Sequence, residues 1–381
     1  MALRFLSALL SFVSVSFVSV RAGIQCLDAL GHPTDSWTII KAPKTGDKYL
    51  YATQSEALYA PSDILCNRTS TMSDCSDQNQ FVIGSDLNST TRGALAHTLQ
   101  QLWAEGASYV LFNDEPPGST SYNFTVGHTK GILATDGETG FYLVHSLPKF
   151  PQGPAHSGQA SSYSGLPSNT YTYGQNLYCA SFPLHTLDTM AYAFQLNLPL
   201  IYDFHLEPTV AINAPNISAL VKGKFSTDPI CATHSITTLG GAPHLLFAKS
   251  TQWNQDLWSD CVAPKLQTDL VVESWIRGSA IGPSCSSSYT VQDAEEISFE
   301  ASANGFTWSE YDDPQTGMSA GAPFDFSSKM DHSKWASSLD GTIACHGDIN
   351  RMTTQFVRGG GALCFKSSYN LASAVSKENS C

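Results

Sequence analysis

Charged residues are scarce in this chain, at 14% of 381, and the shortage falls on the basic side: 20 Lys and Arg against 33 Asp and Glu. The resulting net charge of −13, with histidine neutral, argues against nucleic-acid binding at neutral pH, because phosphates require a basic surface. No His-Glu-x-x-His is present, which excludes a zincin, and no Gly-x-Ser-x-Gly, which removes the elbow of Ser-based hydrolysis. Gly359-Gly-Gly-Ala362 lacks a following Lys-Ser/Thr and is no ATPase-type phosphate loop. None of the cysteines falls in a Cys-x-x-Cys pair, so neither a zinc site nor a redox motif is indicated. Beyond the N-terminus no apolar run reaches the ~18 residues of a membrane span, and no low-complexity tract or long linker divides the chain.

What remains is a globular composition, 42% hydrophobic, long enough for two domains or one large duplicated fold. Residues 1–22 read as a secretory signal: Arg4, the run LSALLSFVSVSFVSV, then Val20-Arg21-Ala22 before Gly23, with a retained anchor as the alternative. Sequons at Asn67, Asn88, Asn123 and Asn216 fit a glycoprotein. Ten cysteines, an even number, fit disulfides in an oxidising compartment, secreted or lysosomal. Eleven histidines would gain charge near pH 5 and bring the net charge most of the way to zero, so the acidic composition says much less about an acidic compartment.

The patterning predicts strands mixed with helices in one body. Strands are expected from Ser36, from Tyr49, over 107–114, around 198–204, over 244–249 and over 270–276. Helices are expected at 90–103, near 185–198 and at 256–267. Residues 131–146 read as a hairpin about Asp136-Gly-Glu-Thr-Gly140. Residues 61–80, 151–171 and 309–325 read as loops.

One pattern occurs twice: GHTKG at 127–131 and DHSKW at 331–335. On an extended segment residues i and i+2 share a side, so His128 projects with Lys130 and His332 with Lys334. A lysine holds a phosphate oxygen and stabilises the extra charge of a five-coordinate phosphorus. One imidazole can attack phosphorus while the other, protonated, gives its proton to the departing oxygen. Two such couples supply all four roles with no metal or cofactor. A single His-x-Lys is more often a solvated strand edge. His145, in the apolar run Leu143-Val-His-Ser146, reads first as a hydrogen-bonded core residue and second as support for the site. His97, His205 and His244 read as core or surface residues, and His346 neighbours the second copy in sequence.

The sequence resembles the deoxyribonuclease II family. The stretches that carry the likeness are GHTKGILATDGETGFYLVHSLPKFP, Asn113-Asp114-Glu-Pro-Pro, Tyr173 to Cys179, Asp331-His-Ser-Lys-Trp335, Gly347 to Arg351 and Arg358 to Cys364, in the family's order. The resemblance implies an α/β fold of mixed α+β character. It would be a phospholipase D-like pseudo-dimer of two mixed-sheet halves, 23–190 and 191–381, with one shared site. It implies metal-free cleavage of DNA at acid pH to 3′-phosphate and 5′-hydroxyl ends, with DNA as the partner and a homodimer among the assembly states open to it. Carried over, His128 and Lys130 form one half-site and His332 and Lys334 the other, with His128 favoured as nucleophile and His332 as acid. Asp348 and Asn350 are candidates to orient the second half-site. The family framework implies Cys26–Cys179, Cys345–Cys364 and Cys285–Cys381. Proximity suggests Cys66–Cys75 and Cys231–Cys261 for the rest. Departures are Ala336, where relatives often have Cys, and a poorly matching stretch from Ser286 to Met330. Other readings are a catalytically silent secreted glycoprotein, or a related phosphodiesterase acting on RNA or phospholipid.

Overall fold

The computed structural model describes residues 23–54, 81–84, 86–120, 123–155, 161–285, 288–299, 324–379 and 381. The expected signal at 1–22, the sequon at Asn67, the pair Cys66–Cys75 and most of the 309–325 loop lie outside them.

Among the described residues two sheets form. The first contains β1 (Ser36–Lys41), β2 (Tyr49–Gln54), β3 (Val82–Gly84), β4 (Ser108–Asn113), β5 (Lys130–Thr135), β6 (Thr139–His145), β7 (Gln175–Pro183) and β8 (Ile201–His205). Their order is β3-β2-β1-β7-β6-β5-β4-β8, antiparallel throughout. The second contains β9 (Cys231–Thr237), β10 (Pro243–Lys249), β11 (Leu270–Glu273), β12 (Val291–Ser298), β13 (Asp325–Ser327), β14 (Trp335–Ser338), β15 (Ile343–Gly347), β16 (Gly360–Lys366) and β17 (Val375–Glu378). Its order is β13-β12-β11-β14-β15-β16-β10-β9, with β17 on β12 and a single parallel pair, β11 with β12. The expectation of mixed sheets therefore holds for the second sheet only. The expected division at 190/191 falls inside helix α2 (Leu184–Asn197), and the first sheet takes in β8 beyond it.

The central strands are apolar on both faces because both faces are covered. In β1, Ile40 joins a cluster that also holds Val144, Tyr178, Leu246, Leu363 and Phe365, so the two sheets share one core. Trp37 and Ile39 alternate to the other face and pack with Leu95 and Leu99 of α1 (Gly93–Gln100). Behind the second sheet, Trp258 and Val262 pack on Leu270, Val272 and Ala336. Ala336 stands opposite Cys345, which is bonded to Cys364 on the next strand, so that part of the sheet is already cross-linked. Helix α2 buries Leu187, Met190 and Phe194 against the shared core and stops at Leu198, whose φ of 51° is left-handed.

The β5–β6 turn forms because Asp136 accepts the backbone N–H groups of Glu138 and Thr139, both at 2.9 Å, while Gly137 takes φ +101°. The disulfides Cys26–Cys179, Cys231–Cys261, Cys285–Cys381 and Cys345–Cys364 are all present. Helices and strands fall close to their expected places. The strand expected over 270–276 stops at Glu273, and that early stop frees Trp275 for the site.

The two strand orders also run alike. β2-β1-β7-β6-β5-β4 in one sheet matches β9-β10-β16-β15-β14-β11 in the other. Lys130 lies one step before Gly131, which faces Val144, and Lys334 one step before Trp335, which faces His346. The likeness fails at the edge, where β8 joins β4 antiparallel but β12 joins β11 parallel.

Candidate active site

Each His-x-Lys copy enters a central strand, and each is tied to the opposite sheet. The His128 backbone N–H donates to the Gly359 carbonyl at 2.8 Å, just ahead of β16. The His332 N–H donates to the Gly174 carbonyl at 2.9 Å, just ahead of β7. Thr129, between His128 and Lys130, donates its hydroxyl to Asp348 at 2.5 Å, and Asp348 also accepts the Gly361 N–H at 2.8 Å. The Lys334 N–H donates to the Asn176 side chain at 2.8 Å. The copies lie about two hundred residues apart in sequence but are joined through one short segment: Asp348 holds Thr129 of the first, and the Gly347 N–H next to it donates to the Lys334 carbonyl of the second at 2.8 Å.

Burial and charge give this place its electrostatics. Lys130 and Lys334 are 4% and 2% exposed, too little for water to neutralise their field. Burial, then Lys130, Arg358, Lys334 and His332, hold the His128 pKa well below the usual imidazole value. Burial, then Lys334, Lys130 and Arg277, do the same to His332, opposed by Asp114. Burial and the Lys130 charge bring Lys334 down to about 7. The Nδ1 atoms of His128 and His332 are buried without a hydrogen-bond partner, so no carboxylate orients either ring from that side.

The surroundings of the two histidines differ. Beside His128 lies Asp114, its Oδ2 at 3.9 Å from Nε2. Asp114 accepts from Lys130 and, at 3.0 Å, from Arg358, which also donates to the carbonyls of Val126, Asn123 and Gly127. Burial pushes the Asp114 pKa up, but Lys130 and Arg358 outweigh it and leave the carboxyl below its ordinary value. Beside His332 the groups are aromatic. Tyr173 stacks on its ring at 5.3 Å and 11°, and Trp275 meets it edge-on at 4.1 Å.

Of the other expected residues, Asp348 ties the first copy to the second sheet, accepting from Thr129 and from the Gly361 N–H, and burial raises its carboxyl to about 6. Asn350 is buried with Oδ1 unpartnered, and no hydrogen bond joins it to the four His and Lys side chains. Its neighbour Arg351 turns to the far side, onto Asp256 and Asp293. His145 is a core residue, edge-on to Phe150 at 5.3 Å; neither ring nitrogen makes a hydrogen bond of ordinary geometry, and burial, then the Lys130 charge, opposed by the Leu147 backbone, lowers its pKa to about 3. Asn88 is exposed in a turn, whereas the Asn216 amide donates to Asp188 at 2.8 Å. His346 takes part through Asn176, whose Nδ2 lies 3.2 Å from its Nδ1. Asp114, Thr129, Tyr173, Asn176, Trp275 and Arg358 received no role from the sequence. Most sit in the stretches that carry the family likeness, but their importance comes from packing across the sheets. Among the described residues no group of three or more His, Cys, Asp or Glu side chains is placed to hold a metal ion.

The model of the family described as Deoxyribonuclease II matches residues 25–380. This chain belongs to the deoxyribonuclease II family. It is 30% identical to deoxyribonuclease-2 of Caenorhabditis elegans over 98% of both chains. It is 33% identical to the bovine (Bos taurus) deoxyribonuclease-2-alpha over 94% of this chain and 90% of that one. It is also 35% identical to the mouse (Mus musculus) deoxyribonuclease-2-alpha over 72% and 73%. Both His-x-Lys copies and the stretches around them thus lie within a deoxyribonuclease II chain.

Proposed function

We propose that this chain is an acid endodeoxyribonuclease that hydrolyses DNA phosphodiester bonds without a metal, using His128 and His332 as a pair, and leaves 3′-phosphate and 5′-hydroxyl ends. The observation that carries the reading is the meeting of the two His-x-Lys copies among buried cations. Lys130, Lys334 and Arg358 provide the positive charge that a phosphate and its five-coordinate transition state require.

In the first step a His128 ring nitrogen forms a bond to phosphorus as the P–O5′ bond breaks, and His332 gives its proton to O5′. The neutral His332 then takes a proton from water. The hydroxide oxygen bonds to phosphorus, the P–N bond breaks, and a 3′-phosphate leaves. The cycle consumes one water and returns both rings to their starting states.

The acid preference follows from the electrostatics. Burial and nearby cations resist protonation of either ring in the empty site. A bound phosphodiester supplies negative charge and opposes that effect, so proton uptake accompanies substrate binding and is helped by low pH. The four disulfides fit an oxidising destination, lysosomal or extracellular. No helix among the described residues is long and apolar enough to cross a membrane.

The test is nicking of plasmid DNA at pH 5 in EDTA by purified, disulfide-bonded protein, with analysis of the ends. Nicking that yields 3′-phosphates, lost in a folded His332→Ala variant, is expected. No nicking refutes the activity, and a fully active variant refutes the role of His332.

A further inference from the structure

A DNA strand whose scissile phosphate lies among the four His and Lys side chains must leave the site past His128 and past His332. On the His128 side the guanidinium of Arg358 is already engaged by Asp114 and by three carbonyls, and both residues are buried. The His332 side carries a different cation. Arg277 is exposed, and its guanidinium carbon stands 4.6 Å over the Trp275 ring and 5.3 Å over Tyr173. Its Nε donates to the Lys329 carbonyl at 2.6 Å, which fixes the plane of the group. Among the described residues no carboxylate pairs with it. Trp275 and Tyr173 each contact both the guanidinium and the His332 ring, which puts the cation beside the reacting histidine.

The geometry points to Arg277 as the subsite for the phosphate next to the scissile one, on the leaving-group side of the cut, with Trp275 and Tyr173 holding its guanidinium in place. This rests on the nuclease reading above and on His332 as the proton donor to O5′. A guanidinium is weakly hydrated and matches two phosphate oxygens with parallel N–H donors, and stacking on aromatic rings removes much of the entropy that an exposed arginine otherwise loses on binding. In a chain of net charge −13, an oriented and uncompensated cation beside the reacting groups is where the next anion of the substrate is held. Arg277 is one of the three cations that depress His332. A phosphate on Arg277 therefore also relieves part of the resistance to protonating the acid.

The experiment uses trithymidylate and an analogue whose second linkage is a neutral methylphosphonate. Cleavage at the first linkage is followed at pH 5 with the wild type, Arg277→Ala and Arg277→Lys. The products identify which bond is cut. On the charged substrate Arg277→Ala is expected to lower kcat/KM roughly ten- to a hundredfold, mainly through KM, and Arg277→Lys to lose less. On the methylphosphonate the wild type is expected to fall by a similar factor, and the two enzymes to become nearly equal. Equal losses on both substrates overturn the subsite, since arginine would then act on His332 or on the fold. Coupling to a methylphosphonate placed 5′ of the cut bond instead overturns its placement. If the wild type cleaves neither substrate, the nuclease reading itself is refuted.

Discussion

Gly127 and Gly359 are closed against the same atom. A Cβ on Gly127 would lie 1.9 Å from the Asn197 carbonyl oxygen, and one on Gly359 would lie 2.2 Å from it. That carbonyl belongs to the last residue of α2, held by the left-handed turn at Leu198, whose own carbonyl accepts the Gly127 N–H at 2.9 Å. Gly127→Ala must therefore push backbone against backbone by about 1.5 Å before an ordinary contact is reached. The segment that gives way carries His128, whose N–H is fixed to the Gly359 carbonyl. A displacement of ~1 Å at a reacting group costs on the order of a hundredfold in rate. Overpacking of this kind costs ~1–3 kcal/mol in stability. The expected result is a folded protein whose DNA cleavage at pH 5 falls about a hundredfold, measured by initial rates beside urea unfolding. Gly359→Ala should act in the same sense. Because both changes move one carbonyl, the double variant should lose less than the product of the single losses. Gly282→Ala, with open space around the new methyl, is the control and should be nearly neutral. A Gly127→Ala enzyme within threefold of the wild-type rate at unchanged stability would refute the reasoning.

Arg358→Ala removes donors to Asp114 and to three carbonyls across the sheets, leaving Lys130 as the hydrogen-bonded cation on a buried carboxylate; a stability loss of ~3 kcal/mol is expected in urea unfolding, with a fall in cleavage, and a loss below ~1 kcal/mol would count against it. His145 bears on acid stability: its folded pKa of about 3 lies under the usual imidazole value, so the unfolded chain takes a proton first as pH falls through ~6.5, and stability is lost from there downward. At pH 5 this amounts to ~2 kcal/mol, and His145→Leu should flatten the decline between pH 7 and pH 5 by about that much; an unchanged slope would refute it. Asp331 and Asp348, raised to about 6 by burial, act in the opposite sense, since the folded state holds their protons more tightly and loses stability as pH rises from ~4 to ~6.

Local rules were enough for the strands and helices, because these rest on short-range periodicity. Asp136-Gly in a hairpin turn, the leucines of α1 on one side, and the apolar strand ending in Lys249 are all readable from neighbours within one turn or two steps. The paired His-x-Lys chemistry was legible for the same reason: residues two apart on an extended chain share a side whatever the fold. The sequence by itself thus singled out the candidate reactive side chains, and it determined the family through its motifs and three of the disulfides through that resemblance.

Tertiary structure decided what those side chains experience. Asp114, Asn176 and Arg358 act through partners more than a dozen residues away, and no local pattern distinguishes them from other polar residues at strand ends. Asp348 was read as a support for its own half, yet its hydroxyl donor is Thr129 of the other. Nothing in the sequence explains the glycines of GHTKG and Arg358-Gly-Gly-Gly361, but two of them are required by one carbonyl at the end of a distant helix. Even the protonation of the histidines is a tertiary property. Burial sets it first, then the lysine of the same copy and, behind that, the opposite copy's; the burial and the opposite charge do not exist until the two sheets close on one another.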